Sequence, residues 1–284
     1  MAELQSNMRR TGAGGTLGDM LPLLLGSGNE YVGDSAMTMP ERRRSCLEKA
    51  CRAALKKLGD AVADAASVPP RVVGLWLEQA SYCEDDLATE YLAGILACSR
   101  TAIFRDDRAL RRLALLSRLS LLQIRTHYLF YATLRRLLLA RPGAKPADLE
   151  SSRYRLAVFV PVGPYVRAMA LEPAEIRSTA TLAGDILTGL GAELLLDGSN
   201  TGTEEYLKRY FDSPAIRGEG IVFAPSLAGV ELFLWAFGKN DGTTARYLSP
   251  ALDCGTNAAP AAIEGAEMIY SPGPSRKETR GGGT

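Results

Sequence analysis

The residues best placed to do chemistry in this sequence are basic, and they lie close together on one predicted helix. Between Glu41 and Leu58, seven cations oppose only Glu41 and Glu48. Side chains of this type at this density can bind phosphate, anionic lipid headgroups or an acidic partner. They can also form a solvated face that pairs with acids elsewhere in the chain, and the near-neutral sequence favours this plainer interpretation. The candidate interaction residues are Arg42, Arg43, Arg44, Lys49, Arg52, Lys56 and Lys57.

A second charged cluster is acidic and lies between two predicted helices. Glu84, Asp85, Asp86 and Glu90 have the carboxylates of a metal site, but no histidine and no Asp-x-Asp-x-Asp-Gly loop accompanies them. Negative charge at the start of a helix is favoured by the helix dipole. We therefore expect these acids to cap a helix.

The other residue types used in catalysis form no recognisable pattern. His127, the only histidine, falls beside Ile124 and Tyr131 on an apolar helix face, which favours a structural role. The five cysteines include no Cys-x-x-Cys pair, so neither a disulfide framework nor a zinc site is predicted. The Gly-rich stretch from Thr11 to Gly18 lacks the flanking strand and Lys-Ser/Thr of a P-loop. We expect no catalytic residue, no metal and no cofactor, hence no enzyme.

The composition of the whole chain does not predict a partner that is attracted by net charge. Its 284 residues include 33 Lys plus Arg and 32 Asp plus Glu, so no global field attracts nucleic acid or membrane. No apolar run approaches the roughly 20 residues needed to cross a bilayer, and the start lacks a secretory signal. Together with cysteines that favour a reduced state, these features predict a cytoplasmic protein.

Helical periodicity dominates the first half of the sequence. Thr38 with Glu41, and Ser120 with Gln123, have the spacing of capping boxes that begin helices. In the Gly-rich segment before Thr38, only the apolar run from Leu17 to Leu25 is expected to fold back onto the body of the protein. The first half therefore predicts a helical bundle that follows a Gly-rich arm.

Extended segments are predicted only in the second half. A β-branched and aromatic run from Leu156 to Val162 predicts a strand, and Pro161 suggests that it lies at a sheet edge. A helix ending near Leu190, a strand at 193–196, a turn at Asp197, a short helix, a second strand and a final helix follow. This order is the outline of a winged-helix-like unit.

The sequence thus predicts a mainly α fold with an N-terminal helical bundle, a small α+β winged-helix-like unit and flexible termini. Two domains are favoured at this length. The predicted segments are a Gly-rich arm (1–37), the helical bundle domain (38–141), a connecting segment with a short extended stretch (142–170), the winged-helix-like unit (171–248) and a flexible C-terminal tail (249–284).

Two segments carry a family resemblance. Residues 68–100 comprise a proline-started helix, an acidic turn ending in Asp86-Leu87 and a helix closing in Ile95-Leu96. Downstream, a helix ends in Leu190-Gly191, and a strand then leads into the small-residue helix start within 223–235. In these segments the chain resembles the abortive-infection alpha (Abi-alpha) family of bacterial proteins.

The resemblance implies a role in bacterial defence against phage and assigns no catalytic residues. Together with the basic helix, it leads us to expect a non-enzymatic abortive-infection protein that acts through protein or membrane-surface contacts. The expected partners are a protein or phage component, an anionic membrane surface, or a second copy of the chain in a homo-oligomer, because helices carrying Trp76, Tyr91 and Tyr128 offer apolar surface.

The alternative function is that of a winged-helix transcription regulator that binds DNA. Residues 171–198, which would supply the reading helix and the wing, contain five acids against Arg177 alone. Because a polyanion repels this charge, DNA is the less favoured partner.

Overall fold

The computed structural model describes residues 15–26, 29, 31–64, 66–103, 106–141, 149, 156–171, 179–239 and 243–270. The predicted fold class is confirmed, because the described chain is mainly helical with a small antiparallel sheet in its second half. Two compact units are formed, one by Met1–Ile124 with Glu231–Gly242 and the other by Arg125–Val230 with Thr243–Thr284. The limits predicted for the helical bundle domain and the winged-helix-like unit remain predictions.

The first unit is built from helices around a long central one. Helix α3 packs against α1, α4 and α5, and its apolar stripe, which includes Leu47 and Ala50, is fully buried. Trp76 of α4 is buried, and its Nε1 donates to Leu92 O of α5 at 2.9 Å. The helices are α1 (Leu17–Leu25), α2 (Tyr31–Met37), α3 (Glu41–Leu58), α4 (Pro70–Tyr82), α5 (Asp86–Ser99), α6 (Arg108–Leu116) and α7 (Leu121–Ala140), whose larger part belongs to the second unit.

The run from Leu17 to Leu25 folds back onto the first unit as predicted. It forms α1, and Leu17, Met20 and Leu24 are almost fully buried because they face α3 and its neighbours. The expectation that no other part of the arm packs is wrong, because Tyr31–Met37 forms α2 and buries Val32 and Ala36. Residues 1–14, 27, 28 and 30 of the predicted arm lie outside the described residues.

One of the two predicted capping boxes is wrong and the other is confirmed. Helix α3 begins only at Glu41, and Thr38 Oγ1 donates to Ser35 O at 2.8 Å, because Thr38 lies in the turn that closes α2. At the start of α7, Ser120 N donates to Gln123 Oε1 at 2.8 Å, and Gln123 N donates to Ser120 Oγ at 3.2 Å.

The second unit contains a four-stranded antiparallel sheet of order β2-β3-β1-β4. The strands are β1 (Leu156–Pro161), β2 (Leu196–Gly202), β3 (Gly220–Pro225) and β4 (Glu267–Tyr270), and the helices are α8 (Val162–Met169), α9 (Thr179–Ala192), α10 (Glu204–Lys208), α11 (Leu227–Ala236), which ends in the first unit, and α12 (Thr244–Tyr247).

Both faces of the sheet are covered, which explains the continuous apolar run of β1. On one face, the Phe130 ring of α7 stacks on Phe223 of β3 with centroids 4.1 Å apart. On the other, Phe159 of β1 packs in a buried cluster with Leu207 of α10 and Ile269 of β4. A strand buried on both sides is apolar at every position.

The predictions for two of the strands are wrong. Strand β1 lies between β3 and β4, and Pro161 is tolerated there because β4 pairs only with Leu156 to Phe159. The strand predicted at 193–196 is displaced, because β2 begins only at Leu196 and runs to Gly202. The predicted turn at Asp197 therefore lies within β2, at an irregularity before Gly198.

The predicted C-terminal tail begins too early. Residues 249–270 contain β4 and buried side chains such as Leu252 and Ile263. Arg135 of α7 donates to Ser249 O and Leu252 O, at 2.6 and 3.2 Å, so this arginine satisfies carbonyls of an irregular segment instead of its own helix end. Residues 271–284 of the predicted tail, like 142–148 and 172–178, lie outside the described residues.

Candidate interaction surface

Helix α3 presents its cations because its opposite face is anchored. Leu47, Ala50, Cys51 and Ala54 recur at helical spacing and are completely buried. The seven basic side chains therefore emerge on the flanks and outer line of a helix whose orientation is fixed by packing. The structure brings all seven predicted interaction residues onto this one helix.

One flank of α3 pairs with the acidic turn between α4 and α5. Arg42 Nε lies 2.5 Å from Glu84 Oε1, and Lys49 forms an ion pair with Asp86. Lys49 Nζ also donates to the backbone carbonyl of Glu84 at 3.1 Å. Because of the guanidinium beside it, the pKa of Glu84 is lowered from its usual range.

The same flank ends in a more buried ion pair. Lys57 Nζ lies 2.6 Å from Glu90 Oε2 of α5, and the lysine side chain is only 11% exposed. Its ammonium group also lies 4.9 Å from the centre of the Phe237 ring. Lys57 therefore contributes to packing and is not free to bind a partner. This agrees with the interpretation that the basic residues pair with acids elsewhere in the chain.

Arg43 forms a contact that the sequence did not reveal. Its Nη2 donates to Ser81 Oγ at 2.8 Å, and its guanidinium carbon lies 4.1 Å from the centre of the Tyr82 ring. Tyr82 is 65% exposed. An arginine over an aromatic face gains a favourable electrostatic interaction. The only sequence signal was the aromatic residue at the end of α4.

The outer part of α3 retains cations that face solvent. Arg52 Nη2 pairs with Glu48 Oε2 of the same helix at 2.8 Å, at i,i+4 spacing. Lys56 is exposed and Arg44 is half-buried. Neither of these two forms an ion pair with any residue in the described ranges.

The predicted capping role is confirmed for Asp85 alone, because Glu84, Asp86 and Glu90 pair with cations of α3 instead. Asp85 Oδ1 accepts from Ala88 N at 2.8 Å and so caps α5. Glu84 and Asp86 on either side of it bind the cations of α3. Across the described parts of the chain, no group of three or more His, Cys, Asp or Glu side chains is arranged to hold a metal ion.

His127 is a buried structural residue, as its position on an apolar helix face indicated. It is fully buried in the second unit, with Nε2 3.1 Å from Gly229 O. Burial lowers the pKa of His127 to about 3. The neutral ring donates to the carbonyl and is a poor general base near neutral pH.

The cysteine thiols are also poorly suited to catalysis, because burial disfavours their charged form. Burial raises the pKa of the Cys51, Cys83 and Cys254 thiols. A thiol in such surroundings forms little of the reactive thiolate.

A cavity of about 260 Å³ in the first unit has an arginine at its wall that the sequence did not indicate. The Arg100 guanidinium donates to four backbone carbonyls: Leu23 at 2.5 Å, Leu24 at 3.3 Å, Val62 at 3.1 Å and Asp64 at 2.9 Å. Its donors therefore hold α1 and the segment after α3 together, and the cavity is not built around a free charge.

The aromatic residues expected to offer an oligomer surface lie in the core instead. Trp76, Tyr91 and Tyr128 are 0% exposed, and Trp76 Nε1 and the Tyr128 hydroxyl donate to the backbone carbonyls of Leu92 and Cys254. The prediction of a homo-oligomer stays a prediction, but these three residues do not support it.

No protein-family model, no curated protein and no solved structure matches this chain. Among the described helices, none is both long enough and apolar enough to cross a bilayer.

Proposed function

We propose that this chain is a non-enzymatic bacterial anti-phage defence protein of the abortive-infection type, acting through contacts that α3 makes with a protein or a membrane surface. The observation that carries the proposal is the basic helix, whose apolar face is buried and whose Arg52 and Lys56 are exposed. Arg42 is held by an exposed ion pair, and Lys49 by an ion pair with the exposed Asp86 and a hydrogen bond to Glu84 O. Such pairs exchange readily with an incoming anionic group because solvent screens them.

The environment of the potential catalytic groups supports a binding role. His127 donates to a carbonyl in the core, and burial raises the pKa of the thiols of Cys51, Cys83 and Cys254. The link to phage defence comes from the resemblance of residues 68–100 and 190–235 to the Abi-alpha family.

A plaque assay with a charge-reversal variant tests the proposal. Arg44, Arg52 and Lys56 are changed together to Glu, because their side chains make few contacts and the fold should tolerate the change. The control reverses Arg167, Arg209 and Arg217, three exposed cations of the second unit, and so has the same net charge.

We expect cells that make the unaltered protein or the control to resist phage infection, and the α3 variant to lose at least tenfold of that protection. Pull-down and liposome flotation with the same three proteins then separate a protein contact from a membrane contact. Protection by the α3 variant equal to that of the control would remove the basic helix from the function. No protection by the unaltered protein against any phage tested would remove the defence role.

A further inference from the structure

We infer that α3 binds an acidic segment of a partner protein and that the chain's own acidic turn, residues 84–86, occupies this surface until the partner displaces it. This inference rests on the proposed function and specifies both the partner and the regulation of the same surface.

The acidic turn already shows how α3 recognises carboxylates. Arg42 and Lys49 lie two helical turns apart on one flank and bind Glu84 and Asp86, one acid each. Lys49 also binds the backbone carbonyl of Glu84. The recognised feature is therefore a short acidic peptide segment whose main chain also takes part.

The ion pairs of Arg42 with Glu84 and of Lys49 with Asp86 can exchange with an incoming acidic group. The ion pair between Lys57 and Glu90 cannot do so easily. The side chains of Arg42 and Glu84 are 81% and 58% exposed, and Asp86 is 69% exposed. Solvent-exposed pairs of this kind contribute little net stability. Lys57 with Glu90 is mostly covered. It is expected to hold α5 against α3 while the turn is displaced.

The surroundings of α3 favour an acidic protein over an anionic membrane. A helix that lies on a membrane inserts an apolar face into the interface. The apolar face of α3 is buried in the first unit.

The test measures binding of a labelled peptide to the full chain. The probe is a fluorescein-labelled copy of residues 81–90 with serine in place of cysteine, and vesicles containing about 30% anionic phospholipid are the second probe. The unmasked variant is Glu84→Gln with Asp86→Asn, which retains the Asp85 cap. The control, Asp212→Asn with Glu219→Gln, raises the net charge equally at two exposed acids of the second unit.

We expect the unmasked variant to bind the peptide at least threefold more tightly than the unaltered protein and the control. This gain in peptide affinity should decrease as salt is added, because salt screens the charges. Reversing Arg42 and Lys49 to Glu should weaken binding at least threefold. The single change Glu84→Gln should give an intermediate gain, and it provides a milder variant if the double change lowers the melting temperature.

Equal peptide affinity of the unmasked variant and the control would overturn the inference while leaving the plaque result of the proposed function intact. A gain for vesicles without a gain for the peptide would overturn the assignment of a protein partner. Failure of the unaltered protein to protect cells, together with tighter peptide binding after unmasking, would overturn the defence role and leave the binding inference standing.

Discussion

Buried hydroxyl and imidazole groups of the second unit are used to hold the backbone. The Tyr131 hydroxyl donates to Leu195 O at 2.5 Å and accepts from Ser226 N at 3.0 Å. His127 contacts Gly229 O, one turn further along the segment that starts at Ser226. Removing such a group leaves buried backbone partners without hydrogen bonds, which is costly. Residue types typical of catalysis serve here to fix the entry into α11.

His127 should make the stability of the second unit depend on pH. Its folded pKa of about 3 lies below the ordinary value of 6.5. Well above pH 6.5 the ring is neutral in both states, whereas between about pH 6.5 and 3 the proton is bound by the unfolded chain and not by the folded one. Stability is therefore lost as the pH falls from 6.5 towards 3, by on the order of 1–2 kcal/mol between pH 6.5 and 5.

The measurement compares urea unfolding of the unaltered protein with that of His127→Gln at these two pH values. Glutamine is neutral throughout and can still donate to Gly229 O. The unaltered protein should lose more stability than the variant over this range. Equal losses would mean that the buried imidazole does not retain its neutral form.

Two helix glycines in the first unit should respond oppositely to alanine. A Cβ at Gly94 of α5 would collide with the backbone carbonyl of Ala236, whereas a Cβ at Gly74 of α4 would meet open space. Gly94→Ala should lower the free energy of unfolding by about 1–3 kcal/mol because the close helix packing must open. Gly74→Ala should raise it by about 0.5–1 kcal/mol. Urea unfolding followed by circular dichroism distinguishes them, and similar effects of both changes would contradict the close approach at Gly94.

At the scale of elements, helix starts depend on which carboxylate actually reaches the backbone. Asp85 and Asp107 both occupy the N-cap position of a helix, α5 and α6. Only Asp85 accepts a hydrogen bond from its helix, whereas Asp107 makes no such bond. The acidic residues look equivalent in the sequence, but their contributions differ.

Alanine at these two positions should separate the roles. Asp85→Ala should cost about 1 kcal/mol, as loss of an N-cap usually does. Asp107→Ala should change stability by less than about 0.5 kcal/mol, as is usual for a surface substitution. Thermal and urea unfolding of both variants provide the check, and a cost at Asp107 equal to that at Asp85 would refute the difference in capping.

At the scale of the whole molecule, the far C-terminal strand completes the sheet. Strand β4 pairs with Leu156 to Phe159 and buries Ile269 against Phe159 and Leu207. A chain that ends at Gly265 should therefore be less stable than one that ends at Tyr270, by at least about 2 kcal/mol for the lost apolar burial alone. Urea unfolding of the two chains measures the difference. Equal midpoints would show that β4 adds nothing to the second unit.

The charge distribution of the whole chain predicts that it does not bind duplex DNA. The chain has a formal net charge of +1, and residues 171–198 carry five acids against one base. We expect no salt-dependent shift of duplex DNA in a gel-shift assay at low salt. A shift that weakens as salt is added would restore the transcription-regulator alternative.

The sequence by itself determined the features that depend on residues a few positions apart. The apolar stripe of α3, the Asp85 cap, the Ser120 capping box and the buried face of α7 with His127 all follow from spacing within one or two helical turns. The sequence also predicted the mainly α fold, because the helices are regular and the strands are few.

Only the tertiary structure decided which distant groups meet. Arg42 and Glu84 are 42 residues apart, and Arg135 reaches carbonyls more than 100 residues away. The interior position of β1 and the inclusion of β4 likewise depend on pairing between separate parts of the chain. Local propensity carries no information about such contacts, which is why the basic helix and the acidic cluster were both visible in the sequence but their pairing was not.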